Sequence, residues 1–220
     1  MVEISTSLLS VEPENSIKTM YDLEVAHTDY FHIDVMDGIF VENNTSEKMF
    51  TYTNQIKQIS NIPIDVHFMV ENIQEYIEQY LPYEPNRITF HFEACKSKEQ
   101  VLENISKIKE NGIKVGISIK PNTNIKEIYE FLPLVHMVLI MTVEPGKGGQ
   151  KLIPETLEKI SKLNQYRSEN NLEFDIQADG GINLDTIEQV KKAGVDIVVV
   201  GNGIIKTDDY AETIRLLKQK

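Results

Sequence analysis

Residues 31–38, F-H-I-D-V-M-D-G, alternate apolar and polar side chains in the manner of a β-strand. Because successive side chains of a strand point to opposite faces, His32, Asp34 and Met36 share one face, and the opposite face is apolar. Buried polar groups are costly unless they are paired or ligated, so the polar face requires a partner. The pattern therefore predicts a strand that carries chemically active groups into a protein interior.

The same alternation returns in two further segments. In 64–69, I-D-V-H-F-M, His67 and Asp65 lie on one face, and in 174–181, F-D-I-Q-A-D-G-G, the polar face ends at Asp179. Three strands that are apolar on one face and polar on the other indicate a closed barrel with a polar site inside it. Two imidazoles and two carboxylates there would suit a divalent transition metal.

Strand-like and helix-like segments alternate along the rest of the chain. Strands are predicted at 2–9, 30–36, 64–69, 87–92, 113–119, 135–142, 173–178 and 195–200, and helices at 13–26, 73–81, 97–110, 124–131, 154–170, 184–192 and 209–218, with a loop at 41–48 and a helix from there to about 58. Such alternation is typical of βαβ units and a parallel sheet. About eight units favour a (β/α)8 barrel over an open doubly wound sheet. Residues 1–220 are therefore predicted to form one domain.

Composition excludes several kinds of partner. The chain has 220 residues, of which 41% are hydrophobic, and a net charge of −12 at pH 7. Nucleic acids and anionic membranes require a basic surface, so neither is expected as a partner. No apolar run reaches the ~20 residues of a membrane span, and the first ten residues lack the basic segment of a signal peptide. A single cysteine, Cys95, excludes an intrachain disulfide and is consistent with the cytoplasm.

The candidate groups all fall where predicted strands end. In barrels of this kind the active face is built from the C-terminal ends of the strands. The groups found there are Ser7, Asp34, His67, Met141 and Asp179. One such residue would more often be structural, but five at equivalent positions indicate a functional site.

Glycines cluster in the loops after the sixth, seventh and eighth predicted strands. The clusters are 146–149, which contains three glycines, then 180–181, and 201–203. Glycines let backbone N–H groups approach an anion closely, and barrels often bind phosphate after strands seven and eight. Together the clusters favour a phosphorylated ligand.

Five motifs resemble the ribulose-phosphate 3-epimerase family. They are H-I-D-V-M-D-G at 32–38, D-V-H-F-M-V at 65–70, F-H-F-E-A at 90–94, M-T-V-E-P-G-K-G-G-Q-K at 141–151 and D-G-G-I at 179–182. The resemblance covers nearly the whole chain. It implies a TIM barrel of the ribulose-phosphate binding type. It also implies interconversion of D-ribulose 5-phosphate and D-xylulose 5-phosphate in the pentose phosphate pathway, and a homo-oligomer.

The resemblance also implies roles for individual residues. His32, Asp34, His67 and Asp179 would bind one divalent metal ion, and Asp34 and Asp179 would be the acid/base pair that moves the C3 proton through an enediolate. Mixed N and O ligands allow zinc, iron(II), manganese or cobalt. The phosphorylated ketose would contact Ser7, His67, Met36, Met69, Met141, Gly146, Gly148, Gly149, Gly180, Gly181, Gly201 and Asn202.

Some positions depart from the family pattern. Thr6 stands where a proline is usual, residues 42–47 replace a P-N-L-T-F-G segment, and Lys147 stands where an aromatic residue is common. Gln177 and Ala178 replace a frequent glutamate and valine before Asp179. None of these changes affects the four expected metal ligands, so they leave the reaction type intact and the identity of the sugar open.

Other histidines, the cysteine and one lysine receive no catalytic role. His91 and Glu93 fit equally well as support for the metal site or as a hydrogen-bonded core pair, whereas Cys95 is expected to be inert packing. His27 and His136 are expected to be structural or exposed, and Lys120 to point toward the mouth of the barrel without catalysing a step.

Alternative functions remain open at this point. A hexulose 6-phosphate 3-epimerase, acting for example on allulose 6-phosphate, is suggested by the changed segment at 42–47. A non-catalytic phosphosugar-binding barrel is disfavoured by the intact His/Asp set. A lyase or decarboxylase would require a central lysine, and no strand-end lysine accompanies the aspartates convincingly.

Overall fold

The computed structural model describes residues 2–219 and shows eight parallel strands closed into a barrel. The strands are β1 Glu3–Ser7, β2 Tyr30–Met36, β3 Ile64–Met69, β4 Arg87–His91, β5 Lys114–Ile119, β6 Met137–Met141, β7 Asp175–Asp179 and β8 Ile197–Val200. The helices are α1 Ser16–Val25, α2 Ser46–Ile59, α3 Ile73–Tyr80, α4 Lys98–Glu110, α5 Glu155–Glu169, α6 Ile187–Ala193, α7 Asn202–Ile205 and α8 Tyr210–Gln219. Short 3-10 helices are Pro13–Asn15, Leu81–Tyr83, Phe92–Ala94 and Ile125–Leu134.

Strand order follows the sequence, and β1 pairs with β8 to close the barrel. The predicted (β/α)8 fold is therefore confirmed. Parallel register sets Asp34 beside His67 on β2 and β3, and Met141 beside Asp179 on β6 and β7. The register thus brings residues distant in sequence to the same end of the barrel. A single domain over 1–220 stays a prediction, and residues 1 and 220 lie outside the described part.

Alternation along each strand separates two apolar cores. The larger core joins the outward faces of the strands to the helices, and contains Ile33, Val138 and Val198. The smaller core holds the inward side chains Met137 and Leu139 with three neighbours. The remaining inward positions are largely polar, so the interior of this barrel combines an apolar cluster with a layer of buried polar side chains.

Three helical segments differ from the sequence prediction. The helix predicted at 13–26 is a 3-10 turn followed by α1, and the one predicted at 124–131 is entirely 3-10 and continues to Leu134. Apolar spacing alone does not distinguish the two helix types when the segment is short. The sequence does not predict the four-residue α7, because residues 201–203, Gly-Asn-Gly, have the composition of a turn.

The predicted loop at 41–48 is wrong in its last three residues, because α2 already begins at Ser46. The Ser46 hydroxyl donates to the carbonyl of Met36, at 2.8 Å, and the Thr45 hydroxyl donates to that of Asp34, at 2.6 Å. These residues fasten the start of α2 to β2, although their polarity suggests a loop.

Candidate active site

Four side chains meet inside the mouth of the barrel. His32 and Asp34 extend from β2, His67 from β3 and Asp179 from β7, and one ligand atom from each lies within 4.8 Å of the others. The His67 Nδ1 atom is 3.5 Å from an oxygen of Asp34 and 3.5 Å from one of Asp179. The His32 Nε2 atom is 3.3 Å and 3.8 Å from oxygens of the same two carboxylates.

The cluster fits a divalent cation. The two nitrogens that face the carboxylates, His32 Nε2 and His67 Nδ1, are buried and have no hydrogen-bond partner among the described residues. Buried polar atoms without partners are rare unless something binds them. Two imidazole nitrogens and two carboxylates form a donor set common for zinc, iron, manganese and cobalt. The protein therefore has a His/Asp cluster that could hold a divalent metal.

Electrostatics of the cluster also favour a positive charge. Burial alone would lower the pKa of His32, but Asp34 and Asp65 raise it well above its usual range. Burial likewise opposes a charged His67, yet Asp179 and Asp34 raise its pKa. Burial also opposes ionisation of Asp34, but His32 and His67 hold the pKa of that carboxyl below its usual range. The carboxylates therefore favour positive charge beside the two imidazoles, and a bound cation would supply such charge at the same place.

Asp65 fixes the orientation of His32. Its Oδ2 atom is 3.0 Å from His32 Nδ1, and it also accepts hydrogen bonds from Ser5 Oγ at 2.9 Å and Gln177 Nε2 at 2.7 Å. Burial disfavours the charged form of Asp65, but Arg87 and His32 lower the pKa of its carboxyl. With Nδ1 bonded to a carboxylate, His32 is held with Nε2 facing the cluster, an arrangement common among metal-binding histidines.

His91 and Glu93 lie behind His67. His67 Nε2 is 3.1 Å from His91 Nε2, and His91 Nδ1 is 3.0 Å from Glu93 Oε2. Both interpretations offered by the sequence have contacts in the structure, because His91 and Glu93 form a buried hydrogen-bonded pair and His91 also contacts His67. Lys120 lies outside the cluster, and its Nζ is 4.1 Å from the centroid of the Phe40 ring.

A cavity of about 370 Å³ opens next to the cluster. Its lining includes both aspartates together with Ser7, Met36, Met69, Met141, Gly146, Gly148, Gly149, Gly180, Gly181, Gly201 and Asn202, as well as Lys147. Every residue expected to contact the substrate lines the cavity except His67, which lies in the cluster behind it. Lys147 is exposed at the rim.

Ser7 connects the cavity wall to the cluster. Its hydroxyl donates a hydrogen bond to Asp34 Oδ2 at 2.6 Å, and accepts one from the backbone N–H of Leu9 at 3.3 Å. Asp34 thus has one oxygen bonded to a hydroxyl and the other, Oδ1, facing the imidazoles.

The turn after β7 requires glycine. Gly180 and Gly181 have φ angles of 122° and 68°, which L side chains rarely adopt. A Cβ atom on Gly181 would lie 2.3 Å from the backbone N of Leu152, and one on Gly180 would lie 2.3 Å from a methyl of Val143. Only glycine therefore allows the backbone of this turn to pass so close to Leu152 and Val143.

Sequence reasoning missed several residues at the site. The cavity is also lined by Leu9, Ser10, Val143, Glu144, Gln150, Ile182, Asn183, Val199 and Lys206. Most of these follow strand ends, a signal that could have found them. Lys206 is different because it stands at the end of α7, an element that the pattern does not predict. Ser5, Asp65 and Gln177 lie on inward faces, but their shared hydrogen bonds depend on distances across the barrel.

Fold and cluster together define an α/β-barrel protein with a candidate metal centre at the mouth of its barrel. A sequence profile described as the ribulose-phosphate 3 epimerase family matches residues 3–205. The ribulose-phosphate 3-epimerase of Methanocaldococcus jannaschii is 36% identical over 219 residues, which cover 100% of this chain and 91% of that protein. The Helicobacter pylori J99 protein of the same name is 36% identical over 208 residues, covering 94% and 93%. The chain therefore belongs to the ribulose-phosphate 3-epimerase family and is an epimerase, an enzyme of the isomerase class.

Solved structures of low identity share the fold. The 3-hexulose-6-phosphate synthase from Salmonella typhimurium superposes with a TM-score of 0.72 at 17% identity, over 99% of this chain and 97% of that one. KGPDC from Streptococcus mutans gives a TM-score of 0.71 at 12% identity, over 99% and 96%. Among residues 2–219, no helix is both long and apolar enough to cross a membrane.

Proposed function

We propose that this protein interconverts D-ribulose 5-phosphate and D-xylulose 5-phosphate, using one divalent metal ion and two carboxylate bases. The observation that carries the proposal is that Asp34 and Asp179 border both the cluster of imidazoles and the cavity. Family membership, and relatives that carry the name ribulose-phosphate 3-epimerase, support the same reaction.

The reaction requires two groups that act on opposite faces of one carbon. C3 of a 2-ketose phosphate lies next to a carbonyl, so its proton is weakly acidic, and its loss leaves an enediolate. Epimerisation returns a proton to the other face, which a carboxylate on each side can do. Asp34 and Asp179 suit this role because they extend from β2 and β7, which β1 and β8 separate around the barrel.

Protons move between the two carboxylates and solvent. In one direction an ionised aspartate removes the C3 proton while the other, protonated, donates to the opposite face; in the reverse direction the roles exchange. After each turnover one carboxyl holds a new proton and the other has lost one. Both aspartates line the open cavity, so before the next turnover one can release its proton to solvent there and the other can take one up.

His32, Asp34, His67 and Asp179 would hold the metal ion. When bound, it supplies positive charge that stabilises the negative charge developing on the substrate oxygens. The methionines Met36, Met69 and Met141 supply an apolar wall without competing proton donors.

The glycine turns would receive the phosphate. The cavity-lining glycines lie in the loops that follow β6, β7 and β8, whereas Met36 and Met69 come from β2 and β3. Backbone N–H groups of such turns are suited to binding an anion. Lys147 and Lys206, which also line the cavity, add positive charge to a chain that is otherwise acidic.

The structure does not favour a hexulose phosphate over a pentulose phosphate. Residues 42–47 motivate that alternative, and none of them lines the cavity. Asn43 instead bonds to the loop after β6, where its Nδ2 donates to the carbonyl of Gly146 at 2.6 Å. The changed segment therefore links the loop after β2 to the loop after β6, next to the cavity-lining Gly146.

An assay with both sugars tests the proposal. Purified protein, reconstituted separately with zinc, manganese, iron(II) or cobalt, is given ribulose 5-phosphate or allulose 6-phosphate in D2O. We expect turnover of the pentulose phosphate and deuterium incorporation at C3. A large preference for the hexulose phosphate would contradict the substrate, and binding of either sugar with no exchange at C3 would contradict the reaction.

A further inference from the structure

A relay of three side chains leads from the His/Asp cluster to the 3-10 helix that follows β4. We define it as His67, His91 and Glu93, joined by the two contacts of 3.1 Å and 3.0 Å described above. Both imidazoles are fully buried, so no solvent competes for these contacts. The two ring planes are 28° apart and their centroids are 5.1 Å apart, a separation that allows the ring edges to meet at the two Nε2 atoms.

Proton positions in the relay follow from its end points. A metal bound at His67 Nδ1 requires a lone pair there, so the proton of neutral His67 is on Nε2. Nε2–H then donates to His91 Nε2, which must be unprotonated to accept. Neutral His91 therefore carries its proton on Nδ1, which donates to Glu93 Oε2. One arrangement of protons satisfies every contact.

Two donors to the Oε1 atom of Glu93 fix the orientation of its carboxylate. Glu93 Oε1 accepts a hydrogen bond from the backbone N–H of Lys120 at 2.7 Å, and another from the hydroxyl of Thr123. With Oε1 occupied by two donors, Oε2 is left to accept from His91. The direction of the whole relay is thus determined at its outer end.

Helix α5 secures this outer end. Lys159 Nζ donates to the carbonyls of Lys120, Pro121 and Thr123 at 3.0, 2.7 and 2.6 Å. The loop that supplies both donors to Glu93 is therefore fastened to a helix outside the barrel. Such anchoring is expected where the rotation of a side chain matters to a site.

Two contacts of His91 complete its surroundings. The Phe40 ring lies against it, with centroids 4.9 Å apart. Ser118 Oγ is 3.4 Å from His91 Nε2, longer than the 3.1 Å contact with His67. The hydroxyl can donate or accept, so it does not set the tautomer, whereas the Glu93 carboxylate can only accept.

We propose that His91 and Glu93 are positioning residues that hold His67 in its Nε2–H tautomer, with the Nδ1 lone pair directed to the metal. This inference rests on the proposed metal site. His32 is held directly by the carboxylate of Asp65, whereas His67 is held by a carboxylate acting through a second imidazole.

Nitrogen NMR of the zinc-loaded wild-type protein tests the tautomers directly. The chain has five histidines, so 15N-histidine labelling gives few signals. We expect His67 to carry its proton on Nε2 and His91 on Nδ1. A proton on His67 Nδ1, or on His91 Nε2, would overturn the inference without any variant having to fold.

Zinc affinity of variants tests the function of the relay. Glu93→Gln offers both a donor and an acceptor to His91, so it no longer selects one tautomer, and we expect zinc to bind about 10–100-fold more weakly in competition with a chelator. Glu130→Gln is the matched control, because it removes the same charge from an exposed ion pair with Lys98. We expect that control to stay within about threefold of wild type, as exposed pairs contribute little.

His91 variants separate positioning from packing. His91→Leu removes the acceptor for His67 Nε2–H, and we expect a loss of zinc affinity similar to that of Glu93→Gln. His91→Gln restores a carbonyl acceptor, and we expect it to recover most of the affinity.

The outcomes distinguish this inference from the metal site itself. Folded Glu93→Gln protein that binds zinc as tightly as Glu130→Gln would overturn the relay and leave the metal site intact. Wild-type protein that binds no zinc, manganese, iron or cobalt would overturn the proposed function and the relay with it.

Discussion

Asp34 and Asp179 border one cavity but have different neighbours. The Asp34 side chain is 6% exposed and bonded to Ser7, whereas the Asp179 side chain is 14% exposed at the end of β7. Both are expected to bind metal and move protons, so a test must separate the two functions.

Replacing either aspartate by asparagine should abolish most turnover. The amide can still offer an oxygen to the metal, but it cannot accept the C3 proton, so we expect kcat to fall by roughly 10²–10⁴-fold. The measurement is epimerase activity per bound metal ion. Asp175→Asn, at the opposite end of β7 from Asp179, is the matched control and should retain activity. Near-wild-type turnover of Asp34→Asn or Asp179→Asn would refute the assignment of two bases.

At the residue scale, strand alternation predicts the members of the cluster but not the partners of its histidines. His32, Asp34, His67 and Asp179 follow from period-two patterns and adjacent strand ends, and the structure brings them together. Whether His91 supports His67 or merely fills the core depends on a 3.1 Å contact between strands, which no spacing within one strand reveals.

At the element scale, Lys159 joins α5 to the loop after β5. It is half-buried, and burial lowers its pKa although Glu93 and Glu127 oppose that shift. Its three carbonyl partners all lie in residues 120–123. One ammonium group therefore supplies hydrogen bonds to three backbone carbonyls of the loop after β5.

Replacing Lys159 by methionine should loosen this loop. Hydrogen bonds to charged groups contribute about 1.5–3 kcal/mol, so we expect a loss of stability of that order in urea unfolding. We also expect faster hydrogen exchange at the backbone amide of Lys120. Lys162→Met, which removes an exposed i,i+4 pair with Glu158, should cost no more than about 0.5 kcal/mol. Equal losses in the two variants would show that the loop is held by other contacts.

Elements are easier to predict from this sequence than their ends. All eight strands are predictable because each combines an apolar outward face with turn residues. The starts of helices are harder to predict, because α2 begins among polar residues that suggest a loop but hydrogen-bond to β2. The short α7 contains only one fully buried residue, Ile204, too few for a hydrophobic period.

At the scale of the whole molecule, a metal ion bound at the cluster would compete with protons for its imidazoles. Aspartates raise the pKa values of His32 and His67 in the metal-free fold, against the effect of burial. The stability that these charged imidazoles contribute is fully present below their unfolded pKa of about 6.5 and is lost as pH rises through the raised values. Metal binding requires the same protons to leave.

The stabilising effect of zinc should therefore grow with pH. As pH rises above about 6.5, the metal-free protein loses stability from its imidazoles, whose pKa values are raised in the fold, while zinc competes with fewer protons. We expect the rise in Tm on adding a fixed excess of zinc to increase with pH above this value. Thermal unfolding with and without zinc at several pH values measures it, and His136→Gln, which leaves the cluster intact, should show the same trend. A shift in Tm that is constant, or that decreases with pH, would contradict this linkage.

Anomalous scattering from crystals of zinc-loaded protein tests the central claim most directly. Data collected on both sides of the zinc absorption edge locate the ion without reference to activity. We predict one strong peak about 2.0–2.2 Å from His32 Nε2, His67 Nδ1 and one oxygen each of Asp34 and Asp179. Zinc found elsewhere in an active enzyme, with these four side chains unliganded, would contradict the account.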